Sequence, residues 1–245
     1  MNRESILKDF SHWEDIEVCE TVSASYPGNL SASLKKPPLL YYKGNIEILN
    51  QKTVAIIGSR NVSENGKALA FKAGEIAAKR GFVVVNGLAI GCDSEALKGA
   101  LHHNGKCAVI LPGGLGEIVP RCNENLAQRI LDLGGCLLSE YPPHMKPSRY
   151  TYVERDRLQS GVSNGILVIE TQESSGTMHT VNYAKRQKKR IASYYSEIVG
   201  GACGNRVLAE TGSVSIIKND MDLECFLNIL EENVFYQQLS FSSLL

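Results

Sequence analysis

From residue 53 onward the chain alternates short apolar runs with longer amphipathic stretches. Thr53–Ile57 is a continuous apolar run that stops at Gly58-Ser59-Arg60, the pattern of a strand buried on both faces. Residues 65–80 then carry apolar side chains at helical spacing (Ala68, Phe71, Ile76, Ala77), and Gly81 ends that helix. The alternation repeats down the chain. Residues 82–85, 108–111, Cys136–Ser139, 165–170 and 191–195 read as strands, with 165–170 the strongest. Residues 93–103, 123–133 and 178–187 read as helices, the first with Asp93 as a natural N-cap. Strands that alternate with helices of this length predict an α/β fold, a doubly wound and mostly parallel sheet with helices on both faces. Several of the strands end in glycine. Their loops therefore gather at the carboxyl ends of the strands, where such sheets bind ligands.

The first fifty residues do not share this pattern. A short helix over 4–10, a turn at Tyr26-Pro27-Gly28-Asn29-Leu30 and an extended piece over 36–44 are expected, since Pro37-Pro38 disfavours helix there. The expected organisation is an N-terminal extension (1–50) packed on a core (51–225), with a tail (226–245) that is either a packing helix or a partner contact.

Composition narrows the function. The chain has 245 residues, 43% of them hydrophobic, enough for a buried core. Its 26 Lys and Arg balance 26 Asp and Glu, so any polyanion must be met by a local basic patch. Seven cysteines, odd in number and without a CxxC pair, point to buried thiols in a reducing cytoplasm and to no disulfide framework or zinc site. No signal peptide and no apolar run of membrane-spanning length is read, so a cytoplasmic protein with no membrane contact is expected.

Five features offer chemistry. Gly58-Ser59-Arg60 could approach an anion closely and grip phosphate through the forked guanidinium, and equally fits an ordinary strand-to-helix turn. Gly87-Leu88-Ala89-Ile90-Gly91-Cys92-Asp93 leads into a helix N-terminus that favours negative ligands, with Asp93 as its cap. The dinucleotide spacing GxGxxG is absent, and the second strand ends at Asn86 rather than an acidic residue. Pro112-Gly113-Gly114-Leu115-Gly116-Glu117 is read as a structural turn. It is similar to the glycine run of the lysine-decarboxylase-like nucleotide phosphoribohydrolases, but Glu117 and Pro120 occupy the places of their threonine and catalytic glutamate. Glu154-Arg155-Asp156-Arg157 presents cations on a loop or helix start, or is a solvated charge cluster. Ser175-Gly176-Thr177 could receive a phosphate at a helix N-terminus, or simply cap the helix. The basic run 185–190 is read as matching its own helix dipole rather than as part of a phosphate track. His102, His103, His144 and His179 pair with no nucleophile, so no catalytic residue, metal site or cofactor is expected.

In this order the pieces resemble the DNA-processing protein A (DprA/Smf) family. They are Tyr26-Pro27 through Lys43-Gly44-Asn45, Val54 to Arg60, Gly87-Leu88-Ala89 with Gly91 and Asp93, and Ser139-Glu140-Tyr141-Pro142-Pro143. Arg155, Arg157, Gly161 and Ser163 follow, then Glu170 with Ser175-Gly176 and Thr180, and finally Gly204-Asn205. The resemblance implies an extended Rossmann-like fold, a homodimer, binding of single-stranded DNA and delivery to a RecA-type recombinase. It implies a phosphate pocket at Gly58, Ser59 and Arg60 with Gly87, Arg155, Arg157, Ser175 and Gly176. Three positions depart from the family pattern: Ile90 where a polar or basic residue is usual, Leu97 where a histidine is common, and Asp156 in place of asparagine. The expected consequence is two lost contacts and one added negative charge. A binder or enzyme for a small nucleotide, using the same glycine loops, is the alternative reading.

Overall fold

The computed structural model describes residues 15–31 and 35–242; the helix expected over 4–10 lies outside them. One nine-stranded sheet runs through the molecule in the order β1-β2-β6-β5-β4-β3-β7-β8-β9. The strands are β1 Glu17–Glu20, β2 Leu39–Gly44, β3 Thr53–Ile57, β4 Val83–Asn86, β5 Cys107–Ile110, β6 Cys136–Ser139, β7 Gly165–Val168, β8 Arg190–Tyr194 and β9 Ser215–Ile217. Strands β3 to β9 pair in parallel, whereas β1 and β2 are antiparallel and extend the sheet beyond β6. Val54 to Ile57 and Val83 to Val85 are wholly buried, as strands covered on both faces must be.

The eight helices among the described residues are α1 Gly28–Ser31, α2 Glu64–Lys79, α3 Cys92–His102, α4 Glu124–Asp132, α5 Arg149–Val162, α6 Thr177–Arg186, α7 Cys203–Glu210 and α8 Asp220–Ser242. They cover the sheet on both faces and divide the interior into two apolar clusters. One holds Val54, Val84, Leu97 and Phe226; the other holds Ala55, Val85, Leu158 and Ile166. Alternating residues of β3 and β4 point to opposite clusters, as the two-residue period of a strand requires. The expected doubly wound sheet is therefore present, and the strands and helices expected between 53 and 195 fall within a residue or two of their expected bounds, whereas α5 is an additional helix that the pattern does not predict.

The N-terminal strands belong to the same sheet, and Leu40, Ile46 and Ile48 lie in the second cluster. Helix α8 runs without a break across residue 226. Its Leu223, Phe226, Leu227 and Leu230 are buried, and Arg80 at the end of α2 binds Glu224 at 2.6 Å and Glu231 at 2.5 Å. No helix among the described residues is long and apolar enough to cross a membrane.

Candidate functional site

The order of the parallel strands reverses between β3 and β7: the chain runs outward through β4, β5 and β6, then returns to β7. Crossover helices on either side of such a reversal diverge and leave a crevice at the carboxyl ends of the strands. A cavity of about 450 Å³ lies there. Gly58, Ser59, Arg60 and Asn61 after β3, Ala89 and Asp93 after β4, and Ser175 to Thr177 with His179 and Thr180 after β7 all line it. Its remaining wall is α5, through Arg149, Tyr152, Arg155, Asp156 and Gln159.

Helix α5 corrects the reading of Glu154-Arg155-Asp156-Arg157 as a loop, helix start or solvated cluster. All four lie in the interior of a 14-residue helix and are buried. Ser148 and Thr151 form a capping box, the Thr151 N–H donating to Ser148 Oγ (3.3 Å) and the Ser148 N–H to Thr151 Oγ1 (2.8 Å). Two helical positions are about 200° apart, so Arg155 and Arg157 leave opposite sides of α5. Arg155 faces the cavity, where its Nε donates to Asp156 at 3.1 Å and Nη1 to the Ile110 carbonyl at 3.2 Å. Arg157 lines a different cleft and is not brought to Arg60 and Arg155. There Nε donates to Glu154 at 3.1 Å, Nη2 to Glu140 at 2.6 Å, and Nη1 to the carbonyl of Lys35.

The glycines act mainly by making room. A side chain at Gly58 would overlap Cys92 at the start of α3, and one at Gly87 would overlap the Arg155 guanidinium. Gly87 thus supports the arginine rather than touching the cavity itself. Gly91 has φ 82°, and a side chain there would strike the carbonyls of Ser59 and Arg60, so the first two loops interlock. Gly176 differs from these. It has ordinary helical φ, and nothing stands within 4 Å of where its side chain would be. It opens into the cavity at the N-terminus of α6, where no side chain caps the helix. Ser175 Oγ is 2.6 Å from Thr171 Oγ1. Gly113 and Gly114 pack tightly on the backbone of 142–147, the structural turn expected of the third loop.

Asp93 is not an N-cap. Gly91 holds that position, and the Asp93 carboxylate folds back to accept the N–H groups of Gly87 (3.0 Å) and Ala89 (3.3 Å). Leu88 between them is held at φ 58°, with its N–H on Asn86 Oδ1 (3.1 Å) and its carbonyl receiving Asn123 Nδ2 (2.8 Å). A non-glycine residue in that region is strained and persists only where its surroundings over-determine it. Glu170, in the segment after β7, accepts Ser63 Oγ at 2.6 Å and so fixes the start of α2.

The charges of the cavity are mixed. Arg60 and Arg149 are exposed, and Arg155 is only 7% exposed. The ring of Tyr152 lies 5.4 Å from the Arg60 guanidinium carbon and 5.9 Å from that of Arg155, within cation–π range of both. Burial pushes the Asp93 carboxyl up to about 6 against the pull of Arg155, and burial also raises that of Asp156. Burial pushes the Cys92 thiol up to about 12, so it supplies no thiolate. An anion entering this cavity meets three guanidinium groups and the free amides of a helix start.

Two of the three departures change meaning in the structure. Leu97 is fully buried in the first apolar cluster and does not line the cavity, so no ligand contact is lost there. Asp156 lines the cavity but is ion-paired with Arg155, which offsets much of its charge. Ile90, beside the lining residue Ala89, is exposed. Sequence reasoning missed Tyr152 and Arg149. The Ser148-x-x-Thr151 box was the available signal, because it starts the helix that carries both.

The family model for DNA recombination-mediator protein A matches residues 17–226. Protein Smf of Escherichia coli is 34% identical over 203 residues, which are 82% of this chain and 54% of that protein. DNA processing protein DprA of Streptococcus pneumoniae is 32% identical over 196 residues, covering 80% of this chain and 68% of its own. The X-ray structure of the Streptococcus pneumoniae protein superposes with TM-score 0.80 at 27% identity, over 92% of this chain and 78% of that one. The structure describing single-stranded DNA binding by DNA processing protein A from Helicobacter pylori superposes with TM-score 0.78 at 26% identity, over 89% and 96%. A molybdenum cofactor binding protein from Rippkaea orientalis, TM-score 0.54 at 16% identity, shares the fold alone. The chain thus spans just over half of the Escherichia coli relative, and with this fold and these matches it belongs to the DNA recombination-mediator protein A (DprA/Smf) family.

Proposed function

We propose that the cavity at the strand-order reversal holds the sugar-phosphate backbone of single-stranded DNA. The observation that carries this is the convergence of the Arg60 and Arg155 guanidinium groups on the Tyr152 ring, across from the uncapped N-terminus of α6 at Gly176. Guanidinium groups and helix-start amides bind phosphates, and an aromatic ring offers every base a stacking face. The cations and the helix start address phosphate rather than base edges, so on this reading the strand is held without strong sequence readout. Family membership and the single-stranded DNA binding described for the Helicobacter pylori protein support the same ligand. On this reading the chain acts as a homodimer, without catalysis or cofactor, and passes the strand to a RecA-type recombinase in DNA uptake or recombination.

A second reading rests on the size and charge of the site. A volume of about 450 Å³ also suits a single nucleoside phosphate, and Asp93 and Asp156 could accept its donors. Competition separates the two. Labelled oligo-dT bound to the protein is challenged with unlabelled oligo-dT and with thymidine monophosphate. Displacement by the oligomer, with the mononucleotide weaker by orders of magnitude, supports strand binding. Displacement by the mononucleotide at comparable concentration, or saturable mononucleotide binding with no oligo-dT affinity, overturns it.

A further inference from the structure

Glu75 of α2 and the consecutive His102 and His103 at the end of α3 converge away from the cavity. Glu75 Oε1 lies 3.0 Å from His102 Nδ1 and 2.9 Å from His103 Nε2. All three donor atoms lie within 4.8 Å of one another. Both helices begin at the carboxyl ends of their strands, so this cluster sits toward the opposite edge of the sheet from the proposed DNA site.

We propose that Glu75, His102 and His103 form a binding site for one divalent transition-metal ion of the zinc or cobalt type. The geometry carries the case. A tetrahedral ion with bonds of about 2.0–2.1 Å to nitrogen and about 2.0–2.2 Å to oxygen separates its donors by roughly 3.3 Å. The two oxygen–nitrogen distances are within a few tenths of an ångström of that edge. Two imidazoles on one such ion, each ring centre roughly 1.1 Å beyond its nitrogen, would have centroids about 5.2 Å apart. The His102 and His103 rings are 5.2 Å apart and perpendicular. The shared hydrogen bonds to Glu75 Oε1 already gather the three donors, and an ion would replace the ring N–H protons and bind through the freed lone pairs.

Neutral imidazole nitrogen with one carboxylate oxygen is a donor set for borderline ions, whereas magnesium and calcium favour all-oxygen sets. The carbonyl end of the α3 dipole, where both histidines sit, further favours positive charge. His102 packs beside Phe71 of α2, ring centres 5.7 Å apart, which limits its rotation. Three protein ligands leave a fourth position open to water. A bound ion would clamp α2 to α3, the helices that carry the first two loops of the cavity at their other ends.

The test is a zinc(II) titration of the wild-type chain by calorimetry, repeated with His102→Ala, His103→Ala and Glu75→Gln, and with His144→Ala as control. The side chain of His102 is 65% exposed and that of His103 33%, so their loss leaves the fold in place, which circular dichroism verifies. One equivalent is expected to bind the wild type and the control. Each of the three ligand variants is expected to weaken it about tenfold or more. Cobalt(II) adds a spectroscopic check: tetrahedral absorption without a thiolate charge-transfer band is expected. Binding unchanged in the histidine variants, a thiolate band from Cys122, Cys203 or Cys225, or no stoichiometric binding by the wild type would overturn the proposal.

Discussion

Arg155 and Arg157 differ by two positions on one helix and by nearly everything else. Arg157 is enclosed by Glu154, Glu140 and the Lys35 carbonyl, and Lys35 in turn binds Glu154 at 2.7 Å. Its charge is spent on holding α5 against β6 and the segment before β2. Arg155 makes one long ion pair to its neighbour and one bond to a carbonyl, and keeps the rest of its fork toward an open cavity. The glycine at 87 exists to let it lie there. Equal burial therefore conceals opposite roles, and the difference lies in what each guanidinium already touches.

Removing Arg157 is the most disruptive way to break that comparison. Arg157→Ala leaves Glu140 and Glu154 without their shared cation in a buried cleft, and losing one partner of such a pair costs about 3–5 kcal/mol. Chemical denaturation should show a loss of that size. A loss below about 1 kcal/mol would mean that the network is not structural.

Gly87→Ala asks the converse question of Arg155. A methyl group there displaces the guanidinium, an overpacking cost of about 1–3 kcal/mol. Oligo-dT affinity should fall in step with Arg155→Ala, while the Arg157 network stays intact. Full affinity in Gly87→Ala would show that the position of Arg155 is irrelevant to binding.

These contrasts also show what the sequence could and could not reveal. Strands β3, β4, β5 and β7 were legible because burial on both faces leaves an unbroken apolar run. Helix α5 was not, because Glu154, Arg155, Asp156, Arg157, Gln159 and Ser160 are buried polar residues and erase the apolar period. The short β1 and β9 lie at the edges of the sheet and carry too few residues for a pattern. In the site, the loops and Arg60 were visible as glycine turns after strands. The separation of Arg157 from Arg155 needed the helix; the Ser148-x-x-Thr151 box signals the helix of Tyr152, but the place of its ring shows only through the two guanidinium groups near it. Asp93 was placed at the right helix but in the wrong role, since Gly91 at positive φ takes the cap and frees the carboxylate to brace the loop.

The buried carboxylate of Asp93 gives a smaller, pH-dependent contrast with the surface acids. Its folded value of about 6 stands above the ordinary 3.8, so the folded chain holds that proton more tightly than the unfolded one. Its contribution to stability is full below pH 3.8 and is lost as the pH rises through 6. Asp93→Asn removes this slope. The stability of the wild type relative to the variant should therefore decline between pH 4 and pH 7, as followed by thermal melts; a difference that is flat, or rises, would contradict the assigned burial.

Arg60 tests the central claim most directly, because it is exposed and its removal should change stability by no more than about 0.5 kcal/mol. Fluorescence polarisation of labelled oligo-dT, measured over a salt series for wild type and Arg60→Ala, reads binding and charge together. The account predicts salt-sensitive binding by the wild type, weaker binding by the variant, and a salt slope smaller by about 1 in the variant. Identical isotherms and slopes for the two proteins would contradict a phosphate-binding cavity at this end of the sheet.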